Sequence, residues 1–179
     1  MGAPGDSTSF SADHGAAAPS AQALFVSIVH EAGDWRDFPE VEAAVEASAR
    51  ALSLHPRCRK AQGAEAAVVL ADDARVRELN AGFRGKDAPT NVLSFPFQPP
   101  PGAPEEVEYL GDVVLAAGTI RREADERGIA PVAHLQHLVV HGLLHLLGFD
   151  HMHDEEARDM EGLETEILAS LGIADPYAD

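Results

Sequence analysis

The string HGLLHLLGFDH, from His141 to His151, restricts what this chain can become more than any other stretch. Residues four apart on an α-helix share a face, with Cβ atoms about 5–6 Å apart, so His141 and His145 can turn both imidazoles onto one ion. His151 cannot join them while the helix continues. It lies six residues beyond His145, and at about 1.5 Å per residue that is roughly 9 Å along the axis and on another side. The helix must therefore break, and Gly148 is the residue that lets the backbone turn back. Two helical histidines, a glycine and a returning histidine predict a three-ligand site with its fourth position open, as catalytic zinc sites have.

The neighbouring residues offer further candidates. His137 sits one turn before His141 on the same face, where it can compete as a ligand but is better placed to support one from behind or to pack in the core. Asp150 either orients a ligand or a bound water through its carboxylate, or caps the loop. The spacing H-x-x-x-H-x-x-G-x-x-H is that of the metzincin proteases, with one departure. Those enzymes carry a glutamate directly after the first histidine as general base, and here that position is Gly142. Without that carboxylate, peptide hydrolysis by the usual route lacks its proton acceptor. A metzincin-like zinc protease is an alternative reading that the sequence weakens.

Around this motif the pattern predicts one α+β domain over residues 23–179, a small mixed four-stranded sheet against about five helices. Residues 1–22, rich in Gly, Ala, Ser and Pro, bury too little apolar surface to offset chain entropy and are expected to form a flexible tail. Strands are expected from Leu24 (LFVSIVHEA), over Ala66–Ala71, over Asn91–Phe97 and from Leu110 (LGDVVLAAG). Pro96 removes a backbone donor, which suits an edge strand. Helical spacing predicts helices from Pro39 to Leu54, from a cap at Asp72 or Asp73 through Leu79 with a stop near Gly82, and over Thr119–Arg127, Pro131–Leu147 and Asp154–Leu171. Gly148 and Gly172 fit the left-handed positions that end helices.

Net charge, −17 at pH 7, argues at first sight against nucleic acid, whose phosphates attract Lys and Arg. Between His55 and Phe97, however, seven basic residues meet five acids, a net +2 that leaves −19 on the remainder. A basic patch on an acidic body is compatible with that distribution. No apolar run approaches the roughly twenty residues of a membrane span. With a lone cysteine, Cys58, and no secretory signal pattern, the cytoplasm is the expected compartment.

Three blocks, AHLQHLVVHGLLHLLGFDH with LETEILASLG and DPY after it, LNAGFRGKDAPTNVLSFPF and LGDVVLA, closely resemble the YbeY family of bacterial endoribonucleases. The likeness runs from about Leu24 to Tyr177. It implies a zinc-dependent endoribonuclease that prefers single-stranded RNA, acts in 16S ribosomal RNA maturation and ribosome quality control, and works with the ribosome or its associated proteins. Carried over by position, His141, His145 and His151 are the ligands of one Zn2+ ion, and Arg84 is the family's functionally important arginine. Physical chemistry agrees: an arginine holds a phosphate bidentately and suits an oxyanion that grows in the transition state. Lys86 and Asn91 are further substrate candidates, as are Arg57, Arg59 and Lys60 for the RNA backbone. Phe83, Phe95 and Phe97 can stack on bases or pack in the core. A metal-binding ribosome assembly factor without catalysis is the remaining alternative, and it would call for a fourth protein ligand.

Overall fold

The computed structural model describes residues 22–102 and 108–178. The expected N-terminal tail, residue 22 apart, and the middle of the proline-rich loop before Glu108 lie outside them. Four strands, β1 (Phe25–His30), β2 (Glu65–Ala71), β3 (Val92–Pro96) and β4 (Tyr109–Ala116), form one mixed sheet in the order β1-β2-β4-β3. β1, β2 and β4 run parallel, and β3 runs antiparallel to β4 on the edge. That edge position is the one Pro96 allows.

Five α-helices surround the sheet: α1 (Val41–Leu54), α2 (Asp73–Arg84), α3 (Ala117–Arg127), α4 (Pro131–Leu146) and α5 (Asp154–Ser170). Side chains alternate along the strands, so the sheet serves two cores. Val68, Leu70, Val113 and Leu115 join α1, α4 and α5 in the larger core, which holds Leu135, Val139, Leu143, Leu163 and Leu168 at zero exposure. Val114, Ala116 and Leu93 meet Val76 of α2 on the opposite face. Each such Leu or Val contributes about 1.5–3 kcal/mol relative to leaving it in water, several times any difference in helix propensity. Packing therefore decides where the helices run.

That ranking explains two departures from the sequence pattern. α2 passes through Gly82 and ends at Gly85, whose φ is +66°. A solvated glycine in mid-helix costs only about 1 kcal/mol against alanine, less than the packing and the Asp72 cap supply. The Asp72 carboxylate accepts the Arg75 N–H at 2.8 Å. Residues Pro56–Ala61, expected only to close α1, form a 3-10 helix of their own, with Cys58 and Ala61 buried beneath.

Candidate metal centre

α4 begins at Pro131, whose missing N–H is among those a first turn leaves unpaired, and its inner face is almost wholly apolar. Against the sheet it comes unusually close at Gly142. A Cβ there would lie 2.6 Å from Val113 Cγ1 and 3.2 Å from Ser94 Oγ, and Ser94 Oγ donates to the Gly142 carbonyl at 3.1 Å. The position where a metzincin carries its glutamate is thus filled by the sheet. No side chain fits there, and the protease reading loses its base for a steric reason.

His141 and His145 project half-buried from the flank of α4. The helix ends after Leu146, Gly148 turns the backbone at φ +93°, and His151 returns on an exposed loop, its N–H held by the Asp150 carboxylate at 2.7 Å. Asp150 therefore caps the loop that carries the third histidine. One ring nitrogen from each of His141, His145 and His151 lies within 4.8 Å of the others, and the Nε2 atoms of His141 and His145 are 3.1 Å apart.

Tautomer and charge suit a cation. His141 Nδ1–H donates to Glu164 Oε1 at 2.7 Å, which leaves the lone pair on Nε2, facing His145. Burial, together with the neighbouring His141 and His151, pushes the His145 imidazole down to about 4, so it is neutral near pH 7. Three imidazoles in reach of one point, one with its far nitrogen fixed by a carboxylate, are the donor set of a zinc-type ion. Among the described residues this is the one such group of three.

Glu164 is 1% exposed. Burial alone would raise its carboxyl, but hydrogen bonds from His137, His141 and Tyr177 outweigh it and hold the group at about 2. His137 Nε2 donates to Glu164 Oε2 at 2.9 Å, and the Tyr177 hydroxyl donates to the same oxygen. Burial and this carboxylate push the Tyr177 phenol well up. His137 thus stands behind His141 through Glu164 rather than beside the three nitrogens. Sequence reasoning passed over Glu164 and Tyr177 as individual residues. The available signal was an acid on the apolar face of a helix, among Met160, Leu163, Ile167 and Leu168.

Asn91 donates to Glu123 Oε2 at 2.9 Å, and the same oxygen meets buried His134 at 2.7 Å. This second network joins the start of β3 to α3 and α4. Arg84 is the exposed last residue of α2, not part of an irregular turn, and Lys86 is exposed just beyond Gly85. Arg57, Arg75 and Arg77 are engaged by Asp159, Glu31 and Asp87, whereas Arg59, Lys60, Arg84 and Lys86 have no ion-pair partner among the described residues. Phe83 is 72% exposed, although its ring meets Phe95 edge-on at 5.0 Å. No helix among the described residues is long and apolar enough to cross a membrane.

Comparison with known proteins places this geometry. The family model described as Endoribonuclease YbeY matches residues 34–172. A protein named Endoribonuclease YbeY from Rhodopseudomonas palustris is 51% identical over 162 residues, 86% of this chain and 81% of its own length. Its namesake from Parvibaculum lavamentivorans is 48% identical over 167 residues, 88% of this chain and 87% of its own. One from Sphingopyxis alaskensis is 49% identical over 84% of this chain and 95% of its own. With its three-histidine cradle and a family match across most of its length, the chain belongs to the YbeY endoribonuclease family.

Proposed function

We propose that this chain, folded as a single domain over residues 23–179, is a zinc-dependent endoribonuclease that cuts single-stranded RNA. Its setting is the maturation of 16S ribosomal RNA in the cytoplasm, alongside the ribosome. One observation supports the reading most strongly: three imidazole nitrogens within 4.8 Å of one another, in a chain whose relatives are named endoribonucleases. When bound, a zinc-type ion polarises a phosphoryl oxygen and acidifies water to a pKa of around 7. His141, His145 and His151 hold that ion, and Glu164 fixes the ring of His141. The three protein ligands leave room for substrate, unlike a closed structural site. Arg84, exposed and without an ion-pair partner among the described residues, grips a phosphate from the protein side and compensates charge that builds on its oxygens. Lys86 supports it, and Asn91, bonded to Glu123, fixes the start of β3.

The test is cleavage of a single-stranded RNA by metal-loaded and chelated protein, with the end groups of the products identified. Metal-dependent cutting is expected. A 2′,3′-cyclic end would name the substrate's own 2′-hydroxyl as nucleophile, and a 5′-phosphate with a 3′-hydroxyl would name water. Equal cutting by the chelated protein would sink the metal assignment. Cleavage of casein that needs both the metal and His141 would return the protease reading to first place.

A further inference from the structure

The turn that leads from α4 to His151 also forms one wall of a groove of about 450 Å³. Residues 147–149 make that wall, and residues 56–60 of the 3-10 helix face them. Pro56, Leu147 and Phe149 give the groove its apolar lining, with Cys58 buried behind it. Its rim is basic: Arg57, Arg59 and Lys60 within four residues, with no carboxylate among the residues that line it. In a chain with 30 acids against 13 Lys and Arg, this is a local reversal of sign. Arg57 is held in place, hydrogen-bonded to Asp159 at 3.0 Å and lying over the Phe149 ring at 5.6 Å. Arg59 and Lys60 are exposed and have no ion-pair partner among the described residues.

We propose that this groove is a subsite for one nucleotide unit of a single-stranded RNA, outside the metal cradle. The phosphate lies against Arg59 and Lys60, and the base lies against the apolar lining. The identity of the ligand rests on the endoribonuclease reading above. An apolar lining with a cationic rim is the combination that single-strand binders use, because every base has an apolar face and every unit a phosphate. The volume is that of a small-ligand pocket, not of a protein interface. Only Asp150 separates Phe149 from His151, so the groove and the cradle are about 7 Å apart along the chain at most. A strand seated in the groove is thereby led to the metal loop. The subsite acts on affinity and on the path of the RNA, not on bond cleavage.

The experiment measures binding of a cleavage-resistant 2′-O-methyl single-stranded RNA oligonucleotide to the full chain, by fluorescence anisotropy, from about 50 to about 200 mM salt. Arg59→Ala/Lys60→Ala is compared with wild type, with Arg59→Lys/Lys60→Arg, and with Arg50→Ala, an exposed arginine of α1 outside the groove. Each phosphate contact on a single strand contributes about 0.7 to the slope of log K against log salt. The double alanine variant should therefore lose about 1.4 from that slope, so the wild-type advantage shrinks about sevenfold across the range. The Lys/Arg exchange should keep the wild-type slope. Metal content, thermal midpoint and kcat should stay unchanged while KM rises. A wild-type slope in the double alanine variant overturns the proposal, as does an equal loss in Arg50→Ala or a groove that takes a poly-glutamate peptide in preference to RNA. If wild type binds RNA with the expected slope and cuts none, the endoribonuclease reading falls while the subsite stands.

Discussion

At the scale of single residues, Glu164 links the centre to the rest of the protein. A carboxylate 1% exposed is tolerable only because three donors reach it, and removing one partner of such a buried network costs about 3–5 kcal/mol. Its two oxygens serve different histidines, Oε1 fixing His141 and Oε2 anchoring His137. Glu164→Gln should leave a loaded metal ion bound but weaken it about 10–100-fold, the usual effect of losing a ligand's orienting partner. His141→Ala and His145→Ala should lose stoichiometric metal altogether. Competition against a chromophoric chelator and elemental analysis separate the two outcomes, and full metal content in both histidine variants would refute the cradle. Arg84→Ala should keep metal and thermal midpoint yet cut RNA about 10²–10³-fold more slowly, as when one transition-state donor is lost. Arg84→Lys should recover only part, because an ammonium lacks the planar fork. Unchanged cleavage in Arg84→Ala would reduce it to a surface charge. The meeting of His141, His145 and His151 was legible from spacing because the helix repeat and one glycine fix where they come together. Glu164 was not, since its partners lie 23 and 27 residues away in sequence and only tertiary packing aligns them.

Secondary-structure elements show the same division between local and distant causes. All four strands and five α-helices follow from apolar periodicity, caps and prolines, and β3 takes the edge that Pro96 predicts. The 3-10 helix at Pro56–Ala61 and the continuation of α2 through Gly82 were hidden, because short helices and mid-helix glycines are settled by what packs beneath them. Gly142 belongs to this scale too. Its place in α4 is a contact distance between helix and sheet, invisible in the helix alone. Gly142→Ala would gain about 1 kcal/mol in propensity, but a Cβ at 2.6 Å from Val113 forces the helix off the sheet at about 1–3 kcal/mol. The clash wins or at best balances. Gly142→Glu should lower the denaturation midpoint further and yield no peptidase, measured by chemical unfolding and a casein assay. A stable Gly142→Glu variant would mean that the helix can lift from β4 freely.

For the molecule as a whole, the shifted groups predict how the metal-free protein responds to acid. The His145 imidazole falls from 6.5 in the unfolded chain to about 4 in the folded one, so below pH 6.5 the unfolded chain binds the extra proton. Glu164 moves from 4.5 to about 2, with the same consequence lower on the scale. Stability should therefore be level from about pH 6.5 to about pH 8 and fall on the acid side in two stages, through 6.5 to 4 and then through 4.5 to 2. Thermal midpoints of the chelated protein across that range check this, and Glu164→Gln should shrink the lower stage, leaving the part that Asp34, Asp87 and Asp159 contribute. A midpoint that rises on acidification would reverse the sign of both shifts. Because one carboxylate of α5 grips two histidines of α4, the two helices cannot part without releasing the ring of His141. On the metal reading proposed above, local opening of α5 and weakening of the ion's site are then a single event seen from two sides. A bound ion should slow amide hydrogen exchange along α5, and by reciprocity whatever loosens α5 from outside should weaken the ion's hold.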